Sequence, residues 1–172
     1  MDKIWEALYQ AARLIFGFDP DLVEITLLSL QVTVTATLIA SAIGLPLGAW
    51  LVVNRFRYRR IVIAIINALM GLPPVVVGLF VYIMLSRSGP FGVLGLLFTP
   101  TAMIIAQVII ITPIIVSISH QAIRELWADY HDLLISLNAT RLQRVMTLIK
   151  DGRRALLTAA LAGFGRAIGE VG

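Results

Sequence analysis

Two residues of opposite charge, Arg166 and Glu170, stand inside an otherwise apolar segment near the end of the sequence. Charged side chains in such segments are rare and usually functional, so an ion-binding site is one interpretation. Their spacing of four residues also places both side chains on one face of a helix, where they can pair with each other. We favour a structural ion pair, and the ion-binding site stays as the alternative.

A second group of candidates forms a stripe of small and hydroxyl side chains along one predicted helix face. Its members are Ser29, Thr33, Thr37, Ser41, Gly44 and Gly48. Small residues let helices approach closely, and we favour close packing as the reason for the stripe. Lining a polar pathway is the alternative, with Thr33 and Thr37 as the candidates. Asn67, Gln107 and Thr112 are further polar candidates, for which we favour helix–helix hydrogen bonds.

Pro73 and Pro74 interrupt the next apolar segment. Proline lacks a backbone donor and prevents continuous helical hydrogen bonding. In a membrane such a break persists where protein or a water-filled path satisfies the freed groups. A break that faces a pathway and a purely structural kink are both open interpretations.

The sequence contains few residues that could carry out catalysis. It has no cysteine, which excludes disulfides, thiolate metal sites and cysteine nucleophiles. His131 lies within a charged insert, and we expect His120, at the edge of that insert, to be a solvated surface residue rather than a ligand. No Walker-type phosphate loop occurs. We predict no catalytic residue, no metal site and no cofactor.

The composition indicates an all-α, polytopic membrane protein. Hydrophobic residues make up 59% of the sequence and charged residues 14%, against roughly 45–50% and 25% in soluble domains. Residues 25–53, 61–86 and 88–123 contain no Asp, Glu, Lys or Arg. Each run is long enough to cross a bilayer as a helix. The net charge of +4 fits an excess of Lys and Arg in cytoplasmic loops better than nucleic-acid binding.

The apolar runs predict one membrane domain, residues 1–172, with four crossings. In order we expect an amphipathic helix at 1–18, spans at about 24–53, 61–86 and 95–119, a cytoplasmic insert at 121–154 and a last span at 155–172. Four arginines at 54–60 and six Lys/Arg in the insert mark these connections as cytoplasmic, whereas the connection between them carries only Arg87. The N-terminus is then outside, and the protein lies in the cytoplasmic membrane.

The last predicted span ends abruptly at Gly172, without a polar flank. A helix that ended inside the membrane would leave up to four carbonyls without partners. We therefore expect the sequence to lack the end of this span.

The insert predicts two helices separated at Asn138, a residue type that tolerates the left-handed conformation. Thr140 and Gln143 have the spacing of a capping box at the start of the second helix. That helix has one apolar face, with Leu142, Val145, Met146 and Ile149. It could be seated in a groove of a partner protein or lie on lipid headgroups.

Together with the span that follows, the insert resembles the signature loop of permease subunits of ATP-binding-cassette importers. That loop reads Glu-Ala-Ala, three residues, Gly, nine residues, Ile-x-Leu-Pro. Here Asp132-Leu133-Leu134 takes the first place and Asn138 the glycine place, while Leu148-Ile149-Lys150-Asp151 takes the last, without the Leu-Pro pair. The continuation 164–172 is closer to the usual family sequence. Residues 71–79, with Leu72-Pro73-Pro74, resemble molybdate and tungstate permeases, and residues 86–104 look most like the tungstate branch.

The resemblance implies a type I importer permease fold with a coupling helix at 141–150. It assigns ATPase coupling to Asp132, Asn138, Ala139, Thr140, Arg141 and Arg144. It assigns a permease core motif to Gly165, Arg166, Gly169, Glu170 and Gly172.

The same resemblance implies an oxyanion importer, with tungstate as the expected substrate and molybdate or sulfate as alternatives. The implied partners are two copies of an ATPase subunit, a second permease copy, an extracytoplasmic substrate-binding protein and membrane lipid, with no nucleic acid. A scaffold or a non-functional remnant is the remaining alternative, and a membrane enzyme is disfavoured.

Overall fold

The computed structural model describes Trp5 and residues 20–171, and across these residues it is all-α. Apart from Trp5, the amphipathic helix predicted at 1–18 lies outside the described residues, as does Gly172. The helices are α1 (Pro20–Val53), α2 (Arg59–Leu69), α3 (Pro74–Leu85), α4 (Pro100–Ser136), α5 (Arg141–Asp151) and α6 (Arg153–Val171), with a 3₁₀ helix at Gly92–Leu94.

Two of these helices, α1 with 34 residues and α4 with 37, are long and apolar enough to cross a membrane. The pair α2 and α3 could form a third crossing if it is one broken span. Helix α6 covers most of the fourth predicted crossing, at 155–172, but is not among the helices that meet this criterion. That crossing stays a prediction.

The second span, predicted at about 61–86 with an interruption at Pro73 and Pro74, is bent by 100° between α2 and α3. Helix α2 ends at Leu69, and α3 begins with Pro74 as its first residue. Because Pro73 and Pro74 cannot donate backbone hydrogen bonds, the helical ladder stops at this point. The predicted interruption at Pro73 and Pro74 is therefore confirmed.

The third predicted span and the first helix of the insert are a single helix. Helix α4 begins at Pro100, later than the expected 95, and continues to Ser136 without a break at the insert boundary. The preceding turn contains two left-handed residues, Gly95 (φ 60°) and Phe98 (φ 63°), so the chain cannot be helical there. The charged residues that begin after residue 121 therefore belong to the same helix as the apolar residues before them.

The core forms where α1, α4 and α6 pack together. Ala36 and Ala40 of α1, Ile111 and Ile115 of α4 and Ala167 of α6 form one fully buried cluster. Further along the same face, a Cβ added at Gly44 would lie 2.9 Å from Ile115 Cγ2. The close packing favoured for the glycines of the stripe is thus confirmed.

A second cluster holds α5 against the ends of the longer helices. It contains Ala49 and Val52 of α1, Ile123 of α4, Val145 and Leu148 of α5 and Leu156 of α6. The short α5 therefore packs on three other helices.

The contact at Gly48 gives a stability prediction. A Cβ at this position would overlap Ser119 Oγ and lie 3.0 Å from the backbone nitrogen of His120. We expect Gly48→Ala to lower the free energy of unfolding in detergent by about 1–3 kcal/mol because the site is already filled.

Gly78, in the middle of α3, supplies the matched control because a Cβ there meets nothing within 4 Å. We expect Gly78→Ala to be neutral or stabilising, since alanine is the better helix former. Equal melting temperatures for the two variants would contradict the packing argument.

Candidate functional site

The turn between α4 and α5 has the geometry that the insert predicted. Asn138 adopts the left-handed conformation with φ of 50°. Its backbone N–H donates to the Ile135 carbonyl at 2.9 Å, and that of Ala139 donates to the Leu134 carbonyl at 3.1 Å. These bonds satisfy carbonyls at the end of α4, as left-handed helix caps generally do. The predicted interruption at Asn138 is confirmed.

The capping box at the start of α5 is also confirmed. The backbone N–H of Gln143 donates to Thr140 Oγ1 at 3.3 Å, and the Thr140 N–H donates to Gln143 Oε1 at 2.8 Å. The reciprocal pair fixes where α5 begins and the direction in which it leaves the turn.

Residues 138–144, five of which were assigned to ATPase coupling, form the turn before α5 and the first residues of that helix. Arg144 Nε donates to the Ala139 carbonyl at 2.8 Å and so ties α5 back to the turn. Asp132 is separate from this group, on the exposed surface of α4, where its Oδ1 lies 2.8 Å from His131 Nδ1. The structure thus brings together all of the predicted coupling residues except Asp132.

Helix α5 has two apolar surfaces with different surroundings. Val145 and Leu148 are buried against the core, whereas Leu142 and Met146 are 67% and 63% exposed. The exposed pair leaves an apolar surface on α5 that the described helices do not cover.

The connection between α1 and α2 is held by two contacts that the sequence analysis missed. Arg59 Nε donates to the Leu51 carbonyl at 2.7 Å, and Asn54 Nδ2 donates to the Trp50 carbonyl at 3.0 Å. Both satisfy carbonyls in the last turn of α1, where cations and side-chain donors are favourable. Basic and amide side chains are generally favoured just after the end of a helix, and this preference could have predicted the two contacts.

Arg166 and Glu170 form the expected ion pair, with 3.0 Å between Arg166 Nη2 and Glu170 Oε1. Both are partly exposed, and Gly165 and Gly169 likewise face open space. Ala167 is buried in the core, so the four described residues of the predicted core motif lie on the outer face of α6.

The four pathway candidates do not come together in the structure. Thr33 and Thr37 are buried, and neither hydroxyl has a hydrogen-bond partner among the described residues. Thr37 lines a cavity of about 220 Å³ together with residues of α6. Pro73 and Pro74 lie instead at the start of α3, which packs on α4.

Of the other polar residues, two make the expected helix–helix hydrogen bonds. Asn67 Oδ1 accepts from Ser117 Oγ at 2.7 Å, and Gln107 Nε2 donates to the Ala167 carbonyl at 3.3 Å. Thr112 instead donates to the Val108 carbonyl within α4, so its expected helix–helix bond was wrong.

His120 contradicts the expectation of a solvated surface residue, because it is only 7% exposed. Its backbone nitrogen packs against Gly48, where the absence of a side chain lets α4 approach α1. Within the described part of the chain, no group of three or more His, Cys, Asp or Glu residues could hold a metal ion.

The ion pair on α6 gives a prediction that separates pairing from ion binding. Glu170→Gln should destabilise the protein because it leaves Arg166 without its partner, and unpaired charges in apolar surroundings are costly. The double variant Arg166→Glu, Glu170→Arg should recover most of the lost thermal stability in detergent. A double variant no more stable than Glu170→Gln would contradict a structural pair.

Comparison with known proteins identifies the type of molecule that carries this geometry. The sequence model of the family described as binding-protein-dependent transport system inner membrane component matches residues 27–171. The tungstate uptake system permease protein TupB of Peptoclostridium acidaminophilum is 37% identical over 172 residues, which cover 100% of this chain and 75% of the relative.

Two further relatives match over most of the chain. The TupB of Campylobacter jejuni is 33% identical over 100% of this chain and 72% of its own length. A probable anion ABC transporter permease protein of Haloferax volcanii is 40% identical over 88% of this chain and 65% of its own length. The chain therefore belongs to the family of binding-protein-dependent transport system inner membrane components, the permease subunits of ATP-binding-cassette importers.

Proposed function

We propose that this chain is the permease subunit of an importer that carries tungstate across the cytoplasmic membrane. The observation that carries the proposal is the identity of 37% and 33%, over the whole chain, to two tungstate uptake permeases. A molybdenum permease and a sulfate permease are 26% and 29% identical over shorter stretches, which keeps those oxyanions as the alternative.

Family membership implies two kinds of partner, an ATPase and a substrate-binding protein. Permease subunits are not enzymes, so ATP hydrolysis belongs to the ATPase. We propose two copies of that ATPase and a second copy of the permease. The open outer face of α6, with Gly165 and Gly169, supports the second copy, because small residues allow close helix contact.

The turn at 138–144 and α5 are the proposed docking point for the ATPase. Exposed Leu142 and Met146 offer apolar anchors, and Arg141 adds a positive charge at the start of the helix. Because Val145 and Leu148 are fixed in the core, a force on α5 would be passed to α1 and α4. We place this end of the molecule in the cytoplasm and the N-terminus outside, from the distribution of arginines.

Thr33, Thr37, Pro73 and Pro74 stay in the proposal as pathway residues. The two hydroxyls have no partner among the described residues and so have free capacity to bind an oxyanion. Alternating access would require α1 and α6 to separate at this point, which rigid-body motion of the bundle could achieve.

The docking proposal can be tested by cross-linking, because the sequence contains no native cysteine. Cysteines at Thr140 and Arg144 should each capture the ATPase subunit in membranes. Val93→Cys is the matched control, because this residue is 99% exposed in the connection that we place outside.

We expect Val93→Cys to react with an impermeant thiol reagent added to intact cells and to capture no ATPase. Labelling of positions 140 and 144 from outside would refute the topology. Capture of the ATPase at position 93 would refute the docking site.

The substrate can be tested on the partner binding protein, which delivers the anion. Isothermal calorimetry with tungstate, molybdate and sulfate should give the tightest binding for tungstate. Tighter binding of sulfate than of tungstate would overturn the substrate and leave the docking proposal untouched.

A further inference from the structure

A strongly basic cavity lies beside the turn that we assign to the ATPase. It has a volume of about 280 Å³ and is formed by the end of α1, the last turns of α4 and the start of α5. Three arginines line it, Arg55, Arg141 and Arg144, together with Trp127 and His131, and no carboxylate does. We call it the basic pocket.

The three arginines of the basic pocket have no counter-charge within the described residues. The ion pairs found there are on other residues, and the neighbouring carboxylate, Asp132, is fully exposed and paired with His131. Arg144 uses its Nε for the Ala139 carbonyl, which leaves its two terminal nitrogens available. Three like charges around one cavity repel each other, and an anion placed between them would relieve this repulsion.

Two of these arginines belong to the proposed docking point itself. Arg141 and Arg144 lie in the first turn of α5, and Leu142, which we propose as an apolar anchor, lies between them in the sequence. An ATPase that covers Leu142 would also remove water from the neighbouring guanidinium groups. Burial of a charge is costly unless the charge is paired. The protein surface that covers this turn must therefore bring negative charge to the basic pocket.

The third arginine comes from a connection that the docking proposal does not include. Arg55 directly follows Asn54, whose side chain donates to the Trp50 carbonyl at 3.0 Å. Val52, in the last turn of α1, packs in the same buried cluster as Val145 of α5. These contacts hold Arg55 beside α5 without any contribution from a partner. The basic pocket thus joins the connection between α1 and α2 to the turn before α5.

We propose that the basic pocket receives an acidic side chain of the ATPase, whose carboxylate is held by Arg55, Arg141 and Arg144. The proposal rests on the docking point described above and adds the chemistry of the partner surface. Guanidinium groups bind carboxylates through paired, charge-assisted hydrogen bonds, which suits them to this role. Through Arg55 the ATPase would act on the end of α1 directly, as well as through α5.

The first test measures the affinity of the partner ATPase subunit for the full permease chain in lipid nanodiscs. We expect Arg55→Gln to weaken binding by about tenfold or more, because the carboxylate loses one of its partners. Arg57→Gln is the matched control, since Arg57 is exposed in the same connection and does not line the pocket. It removes the same charge and should change the affinity by less than about twofold.

The second test identifies the acidic side chain by cross-linking. A carbodiimide joins a carboxylate to a primary amine without a spacer, and Arg55→Lys supplies the amine while keeping the positive charge. We expect Arg55→Lys to couple to an Asp or Glu of the ATPase, to be located by mass spectrometry, and Arg57→Lys not to couple. Once that carboxylate is replaced by its amide, Arg55→Gln should cause little further loss of affinity, because the two residues act as one pair.

Capture through Thr140→Cys separates this proposal from the docking proposal. If Thr140→Cys captures the ATPase but Arg55→Gln binds it as tightly as the wild type, the docking point stands and the acidic side chain is wrong. An equal loss in Arg57→Gln would also overturn it, as a general effect of charge. Absence of capture at position 140 would overturn both proposals. Binding of inorganic phosphate to the permease alone, lost in Arg55→Gln with no change in ATPase affinity, would assign the pocket to a free anion instead.

Discussion

Helices in a lipid bilayer gain little from burying apolar side chains against each other, because the lipid tails are equally apolar. Their association depends instead on how closely the backbones can approach. In this protein Gly44 and Gly48 give α4 that access to α1, and Ser119 Oγ fits over the α1 backbone, 3.4 Å from the Gly44 carbonyl. The same approach buries His120 and places Ile123 beside Ala49, where α5 is held.

The continuity of α4 connects this contact to the proposed coupling turn. Its 37 residues span about 55 Å at 1.5 Å per residue, more than the roughly 30 Å of the hydrocarbon core. One continuous helix therefore contributes Ile115 to the helix core and Ile123 to the α5 contact, and it leads through Ser136 to the coupling turn. A displacement of α5 cannot be absorbed by a hinge between the span and the insert, so it must be passed to the α1–α4 contact.

The features that the sequence predicted correctly depend on residues close together in the chain. The capping box of Thr140 and Gln143, the left-handed Asn138 and the pair Arg166–Glu170 each involve side chains within four positions. Burial of His120 was not predictable in this way, because it depends on Gly48 in another helix. The merged α4 had a local signal, since 114–136 contain no proline or glycine, but the change in charge near 121 wrongly predicted a helix boundary.

The break between α2 and α3 shows how backbone donors beside a bend in a membrane helix can be satisfied. The backbone N–H groups of Gly71 and Leu72 donate to the carbonyls of Ala68 and Leu69, and the next two residues are prolines, which have no N–H.

Each half of the bend is then attached to α4 at a different level. Asn67 of α2 bonds to Ser117, whereas Val77 and Val81 of α3 pack near Ala102 and Ile105. Because both attachments are to α4, they fix the 100° angle between α2 and α3. Any motion that straightened the bend would have to break the Asn67–Ser117 bond or lift α3 from α4, so the bend should move with α4 as one unit.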